Sequence, residues 1–550
     1  MLILCAVFPI FLALVLMTGF QVSPGKALPF SFLSTCIIAK VFWKLEIPDI
    51  LSYSLLGALK ALDIILIIFC AIFLLNVLRR TGALEMIKAS FKGITPDRRI
   101  QVIIIAWFFS NFIEGVAGFG AAPALAAPLL VGMGFPALTA VVVSLICNTL
   151  PVPFGGAGIA FMTACNSVSD SVVDKGMDPS QFNQAALSCF TTLSSMSGVF
   201  VPFLAVSVMI ILSGGKNKMR SILEIFPLCF TGGLLYLLIW KGTAMTLGPE
   251  LPSVLGSLIS FPFFYLLLKM KFLVPKHVWD FPESTLQEQV ELKPVEISSE
   301  VPKWKAWMPY LSIAVLLVIA RVSFFPVRSW LGKVCRLHIT ELFSTPGTEF
   351  IWSIFLNPGV FPFLPVGIIF ALILGLSWKN IFGVLKDSEK QIRFSVFAIV
   401  SAFAMVQIMI SSVYNDSELP GMLTLIAEGV VRATGKGYVL VAPVIGCFGT
   451  FFAGSCTVSN ILFCPIQFSA AGLLDLPETW MIALQNTGGG VGSMLRLSGI
   501  VATCATVNAS GKEGKIILLN LLPALILILI ALFGGYCYTL WFGGGFSINP

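Results

Sequence analysis

Charged residues are scarce in this 550-residue chain, where they make up only 11% of the sequence. A typical soluble domain carries about 25%. Hydrophobic residues make up 57%, so the composition excludes an ordinary soluble globular protein. Uncharged apolar runs near the length that crosses a bilayer recur along the chain: Leu2 to Phe20, Ile64 to Leu78, Ile222 to Trp240, Met308 to Ala320, Phe394 to Val413 and Ile516 to Leu540. Shorter runs are interrupted by glycine and proline. We therefore predict an all-α polytopic membrane protein with about 12 to 14 transmembrane elements, some broken or re-entrant.

Histidine is also rare, and the two present, His277 and His338, lie outside the apolar runs. The sequence has no HExxH, Walker A or paired carboxylate motif, so we expect neither an enzyme nor a bound cofactor or metal. The 13 cysteines show no CxxC spacing. Because most of them lie in apolar runs, they are interpreted as small core residues rather than as disulfides or metal ligands.

The net charge of +7 is concentrated in short loops. Basic residues in short loops are typical of the cytoplasmic side of a membrane protein, so the positive charge indicates topology and not a nucleic-acid partner. The clusters are Arg79, Arg80, Lys88, Lys92, Arg98 and Arg99; Lys216, Lys218 and Arg220; Lys269, Lys271 and Lys276; and Lys379, Lys386, Lys390 and Arg393. The same rule places both termini on the outer side. The first 20 residues lack a basic n-region and an A-x-A site, which predicts a retained span rather than a signal peptide.

One polar stretch, residues 276–305, is long enough to divide the chain. It is too short for a folded domain, and we interpret it as a cytoplasmic linker. It separates an N-terminal half, residues 1–275, from a C-terminal half, residues 306–550. A second segment of mixed polarity, residues 326–362, is expected outside as a surface element or lid.

A weak repeat relates the two halves. Each half contains an apolar segment interrupted by glycine, then a helix that ends in Asn-Thr, and then a glycine-rich break. Asn148-Thr149 and Asn486-Thr487 are the corresponding pairs. Interruptions at corresponding positions of two halves point to the binding site of a transporter, and we predict an inverted repeat.

A helix that is broken within a membrane can form a binding site. A break is tolerated only where protein or a water-filled cavity covers it. The half-helix that follows presents free N–H groups and partial positive charge, which suit a carboxylate. The competing interpretation is that glycine and other small residues only let membrane helices pack closely. The matched Asn-Thr pairs favour a site.

Two charged residues lie beside these breaks. Glu114 lies deep in an apolar run, where a carboxylate must be paired, protonated or hydrated. It is a candidate proton-coupling group, although a purely structural acid is the alternative. Arg496 is a natural partner for a substrate carboxylate or for Glu114. Its alternative is to extend to the cytoplasmic interface, near Lys512 and Lys515.

Several of these segments resemble the lactate permease family. The stretches that carry the resemblance are FIEGVAGFG at 112–120, LICNTLPVPFGGAGI at 145–159, GSCTVSN at 454–460 and NTGGGVG at 486–492. The chain departs from the family in the second half. Cys456 stands where the family commonly has Asp or another polar residue, and Ser493 replaces a lysine, with Arg496 one helical turn later.

The resemblance implies a secondary transporter that imports lactate or glycolate with protons across the bacterial inner membrane. The alternatives are a transporter of another small organic anion, such as a sulfonated or longer hydroxy acid, and an uncoupled anion channel or sensor. Expected partners are a small organic anion, a proton and the lipid bilayer, with no nucleic acid; the oligomeric state is not predicted. Glu114 is the expected proton-coupling residue. The expected substrate-binding residues are Gly115, Gly118, Phe119, Gly120, Asn148, Thr149, Gly454, Ser455, Thr457, Ser459, Asn460, Asn486, Thr487 and Arg496.

Overall fold

A computed structural model describes most of the chain: residues 2–18, 20, 22–89, 94–118, 121–213, 217–282, 301–321, 331, 333–334, 336–343, 345, 348–356, 360–417, 419–509 and 512–542. The fold is almost entirely helical. The helices before the linker are α1 (Leu2–Thr18), α2 (Pro24–Val41), α3 (Ile47–Arg80), α4 (Ala83–Ala89), α5 (Arg98–Val102), α6 (Ser110–Ala117), α7 (Ala121–Val131), α8 (Ala137–Cys147), α9 (Gly155–Asn166), α10 (Ser169–Asp174), α11 (Pro179–Gly198), α12 (Val201–Leu212), α13 (Lys218–Leu247) and α14 (Pro252–Lys269). A π-helical stretch, Ile103–Phe109, joins α5 to α6, and a short 3-10 turn, Val152–Phe154, precedes α9.

The second half is built in the same way. Its helices are α15 (Lys303–Arg321), α16 (Phe363–Ile373), α17 (Trp378–Ser411), α18 (Met422–Thr434), α19 (Tyr438–Ala453), α20 (Cys456–Leu473), α21 (Glu478–Gly492), α22 (Leu497–Thr506) and α23 (Glu513–Phe542). Between α15 and α16 lie two antiparallel strands, β1 (Arg336–Ile339) and β2 (Phe350–Ser353).

Membrane-spanning elements are numerous in the described residues. Six helices are long and apolar enough to cross a bilayer, and one further pair, Ala137–Cys147 with Val152–Asn166, is bent by 68°. Five shorter apolar helices accompany them, so these twelve elements lie within the predicted range. The bent pair is the kind of broken helix that the sequence predicts.

The outer segment predicted at residues 326–362 is partly described. Its two strands form a hairpin in which Arg336 faces Ser353 and Ile339 faces Phe350. The buried side chains of Leu342 and Phe350 pack with Leu56 of α3. The hairpin therefore rests on the N-terminal part of α3. Whether it acts as a lid stays a prediction.

The start of the linker packs on a charged turn. Asp97 and Arg99 are both buried, and Arg99 Nη2 lies 2.7 Å from Asp97 Oδ2. Arg99 also donates to the carbonyl of His277, and Arg98 pairs with Asp280 at 2.8 Å. These contacts hold the first residues of the linker against α5. Residues 283–300 of the predicted linker lie outside the described residues.

The two halves repeat one order of elements around their breaks. In the first, a helix ends at Ala117, restarts as α7, turns into α8, breaks after Cys147 and restarts as α9. In the second, α19, α20, α21 and α22 follow the same order. The halves are packed into each other, because α9 lies against α20 and α11 lies against α21. The inverted relation between them stays a prediction.

Close helix contacts hold the second repeat together. A Cβ atom added at Gly488 in α21 would clash with the carbonyl oxygen of Pro443 in α19. A Cβ at Gly446 in α19 would clash with the carbonyl oxygen of Gln485 in α21. Small residues let the backbones approach closely, and the resulting van der Waals packing contributes to helix association in a membrane.

We therefore expect Gly488→Ala to force α19 and α21 apart. Overpacking costs about 1–3 kcal/mol, so the thermal midpoint of the detergent-solubilised protein should fall clearly. Gly242→Ala in α13 is the matched control, since nothing lies within 4 Å of a Cβ there. An unchanged midpoint for Gly488→Ala would contradict the described packing.

Candidate functional site

The first break lies one helical turn after Glu114, at Gly118. The N–H of Gly118 donates to the carbonyl of Glu114 at 2.8 Å, and Gly118 then leaves the helix with φ of 63° and ψ of −163°. This backbone conformation is open to glycine and unfavourable for other residues. A Cβ at Gly118 would lie 2.8 Å from the backbone nitrogen of Gly156. The absence of a side chain thus lets the two breaks of the first half touch.

The second break, between α8 and the regular part of α9, contains a left-handed stretch. Gly156, Ala157 and Gly158 have φ values of 55°, 64° and 80°. Ala157 adopts this left-handed conformation although it carries a Cβ, and its side chain is fully buried. Such sterically unfavourable backbone is concentrated at functional sites. The helix restarts at this point inside the protein.

The second half breaks in a corresponding way. α19 ends at Gly454, which has φ of 66°, and the Ser455 side chain accepts a hydrogen bond from the N–H of Val458 at the start of α20. Farther along, α21 continues through Asn486-Thr487, where the sequence predicts a helix end, and stops only at Gly492. The break follows at Ser493, and Arg496 precedes α22. The N–H groups in the first turn of a helix have no carbonyl partner in that helix. Ser455 caps one of those of α20, the N–H of Val458.

These breaks meet at one cavity. It is lined from the first half by Glu114, Val152, Gly155, Ile159 and Ala160, and from the second half by Ser455, Cys456, Thr457 and Arg496. The residues belong to both halves and lie at or beside the breaks. The cavity therefore lies where the repeated segments come together.

Two ionisable residues of opposite sign line this cavity. Glu114 is 1% exposed and Arg496 is 6% exposed. Arg496 Nη1 lies 3.5 Å from the carbonyl oxygen of Gly454. Arg496 thus lines the cavity instead of extending to the interface. Burial of two charges is costly unless each has an opposite charge and hydrogen-bond partners.

Two glycines make room for these charged groups. A Cβ at Gly155 would lie 3.0 Å from Glu114 Oε1, and a Cβ at Gly499 would lie 2.6 Å from Arg496 Nε. Neither residue was among the predicted site residues. Gly155 begins the glycine-rich break, so its sequence position could have suggested a role. Nothing in the sequence, however, placed it against Glu114.

A buried network of polar side chains lies between α20, α21 and the wall of this cavity. Asn460 Nδ2 donates to Asn486 Oδ1 at 2.8 Å and to the carbonyl of Ala160 at 2.9 Å. Gln485 Nε2 donates to Ser459 Oγ at 3.1 Å. The predicted residues Ser459, Asn460 and Asn486 therefore join α20 to α21 and to the cavity wall.

The network continues through residues that sequence analysis missed. Tyr438 donates its hydroxyl to Gln467 Oε1 at 2.6 Å, and Gln467 Nε2 donates to Gln485 Oε1 at 2.9 Å. All three are buried in apolar helices. Their signal was an uncharged polar side chain within an apolar run, which requires an internal partner in a membrane.

The predicted threonines lie at a second cavity. Thr149 and Thr487 line it together with Ser194 and Ser197. Ser194 Oγ and Thr487 Oγ1 are 3.1 Å apart. Asn148 is buried at the end of α8. The Asn-Thr pairs are thus near the breaks, but their threonines do not line the cavity that holds Glu114.

The remaining predicted residues are placed as follows. Gly115 faces α14, since a Cβ there would lie 2.9 Å from Ser253 Cβ. Phe119 and Gly120 lie outside the described residues. Ser455, Thr457 and Arg496 line the cavity with Glu114, and Gly118 and Gly454 shape the breaks beside it.

Sequence comparison finds related bacterial permeases. The chain is 28% identical to the L-lactate permease of Bacillus subtilis, over 90% of this chain and 88% of that protein. It is 27% identical to the L-lactate permease of Escherichia coli K12 (87% and 85%), and 28% identical to the glycolate permease GlcA of the same strain (86% and 84%). The YdaH transporter of Alcanivorax borkumensis shares the fold, with a TM-score of 0.50 at 13% identity, over 96% of this chain and 100% of that one.

These relatives and the apolar helices establish a multi-pass transporter of the bacterial inner membrane rather than an enzyme. The family described as L-lactate permease matches residues 3–537, nearly the whole chain. This chain therefore belongs to the L-lactate permease family.

Proposed function

We propose that the protein imports a small 2-hydroxy-monocarboxylate, lactate or glycolate, together with protons by alternating access. One observation carries the proposal: Glu114 and Arg496 line the same buried cavity where broken helices of both halves meet. The relatives are lactate and glycolate permeases, which favours these two acids as the substrate.

The carboxylate of the substrate binds at Arg496. A guanidinium presents paired donors that match a carboxylate, and burial strengthens this interaction. The N-terminus of α20, which begins at Cys456, adds partial positive charge at the cavity wall. The hydroxyl groups of Ser455 and Thr457 line the same cavity and are suited to the 2-hydroxyl group.

Glu114 links the substrate to the proton. When Glu114 is ionised, its charge and that of the substrate compete for the single guanidinium of Arg496. Protonation of Glu114 removes this competition and leaves Arg496 to the substrate. Binding of the anion and binding of the proton therefore favour each other, as thermodynamic linkage requires.

Alternating access is supported by the composition of the cavity wall. Its residues come from both halves, and Asn460 in α20 holds the carbonyl of Ala160 in α9. A change in the packing of these segments would open the cavity to one side. Transporters with broken helices at the interface of repeats commonly work in this way.

Uptake of labelled lactate by proteoliposomes tests the proposal. With the interior about one pH unit more alkaline, each coupled proton supports about tenfold accumulation. A protonophore should abolish the accumulation, and unlabelled glycolate should compete. Equilibration without accumulation would indicate an uncoupled channel, whereas absence of uptake of both labelled lactate and labelled glycolate would indicate another substrate.

A further inference from the structure

One wall of the cavity is apolar. Val152, Ala160 and Cys456 form a small cluster of buried residues that is separate from the main core. All three line the cavity, as does Ile159. Because the cluster draws on α9, α20 and the turn before α9, both halves contribute to it.

Cys456 is the residue that the second half contributes to this apolar cluster. A free cysteine behaves in packing as a small hydrophobic residue. Its sulfur is wedged against α21, since a Cβ at Gly489 would lie 2.8 Å from Cys456 Sγ. Its contact with Asn460 is weak, because Asn460 Nδ2 lies 3.8 Å from Cys456 Sγ. The side chain of Cys456, a residue that lines the cavity, is therefore held in place by α21.

The charges and the apolar wall divide the cavity into two kinds of surface. Glu114, Arg496, Ser455 and Thr457 supply charge and hydroxyl groups, whereas the cluster supplies two aliphatic side chains and a weakly polar thiol. An acid whose carboxylate is bound to Arg496 would place its substituent against the cluster. A methyl or ethyl group gains contact there. A second carboxylate would lose its hydration without a partner.

We propose that the Val152–Ala160–Cys456 cluster makes the site selective for 2-hydroxy acids with a short aliphatic substituent, such as lactate or 2-hydroxybutyrate, over glycolate and over malate. The inference rests on the proposed function and specifies its substrate class. A pocket that fits one additional methyl or methylene group discriminates by about 10- to 200-fold. We expect the lower end of this range for lactate against glycolate.

Competition against labelled lactate in proteoliposomes tests the proposal. For the unaltered protein, half-inhibition should require about tenfold more glycolate than lactate, 2-hydroxybutyrate should compete, and malate should not. Cys456→Ser and Val152→Thr replace apolar wall atoms by hydroxyl groups of similar size. Each should lower the preference for lactate over glycolate at least about threefold.

Cys464→Ser provides the matched control. Cys464 is fully buried in the same helix as Cys456 and does not line the cavity, so its substitution should leave the preference unchanged. Equal competition by glycolate and lactate in the unaltered protein would overturn the inference. So would an equal change of preference in Cys464→Ser. If Cys456→Ser does not assemble, Val152→Thr carries the test. Absence of uptake of every 2-hydroxy acid would instead overturn the proposed function.

Discussion

Arg496→Gln should abolish lactate uptake, with a loss of about 100-fold or more. The substitution removes the charged donor from the buried cavity that Glu114 also lines. Loss of one partner of a buried, hydrogen-bonded charge pair between protein and ligand costs about 2–5 kcal/mol in binding, and each 1.4 kcal/mol is a factor of ten. Initial uptake rates at several lactate concentrations provide the measurement.

A loss of folding must be distinguished from a loss of binding in this experiment. The double variant Glu114→Gln, Arg496→Gln removes both charges, so it should assemble better than Arg496→Gln while still failing to bind lactate. Arg432→Gln is the control, since Arg432 pairs with Glu428 on an exposed helix face. Near-normal uptake by assembled Arg496→Gln protein would show that the carboxylate binds elsewhere.

Glu114→Gln should separate transport from the proton gradient. The amide has nearly the same shape but cannot gain or lose a proton, and it no longer competes with the substrate for Arg496. Exchange of labelled for unlabelled lactate should therefore persist. Accumulation driven by a pH gradient should fall from about tenfold per coupled proton and pH unit to none.

Glu428→Gln is the matched control for this variant. Glu428 also loses a charge, but it lies in an i, i+4 pair away from the cavity, so accumulation should remain. Full proton-driven accumulation by Glu114→Gln would remove Glu114 from the coupling step and support its structural interpretation.

The sequence was most informative about the breaks. Glycine and Asn-Thr at corresponding positions predicted interrupted helices, and the structure breaks its helices at Gly118, after Cys147, at Gly454 and before Arg496. The physical reason is local. Backbone with positive φ favours glycine, and that preference is visible in a sequence without knowledge of the fold. The predicted helix end at Asn486-Thr487 is wrong, because α21 continues through both residues to Gly492.

The contents of the cavity were harder to predict. Glu114 and Arg496 were both selected, but an arginine near a helix end can equally extend to the interface. Only the packing of α22 against α7 and α8 decides between these positions. Thr149 and Thr487 show the opposite case, since both follow the repeat and yet line a different cavity.

The supporting network was missed for a related reason. Gln467 lies in α20 and Gln485 in α21, 18 residues later in the sequence. Their contact depends on how the two helices face each other, which no local sequence pattern shows. The apolar wall was missed because Cys456 was interpreted as the loss of a polar ligand. Its neighbours Val152 and Ala160 come from the other half of the chain, and no local pattern connects them.

Proton uptake on lactate binding tests the central claim most directly. Lactate is added to the purified, weakly buffered protein, and the pH of the medium is recorded. Because lactate and the proton favour each other at Arg496 and Glu114, the unaltered protein should take up protons and the medium should become more alkaline. Glu114→Gln should bind lactate without this change. Lactate binding without proton uptake in the unaltered protein, or equal proton uptake by Glu114→Gln, would contradict the account.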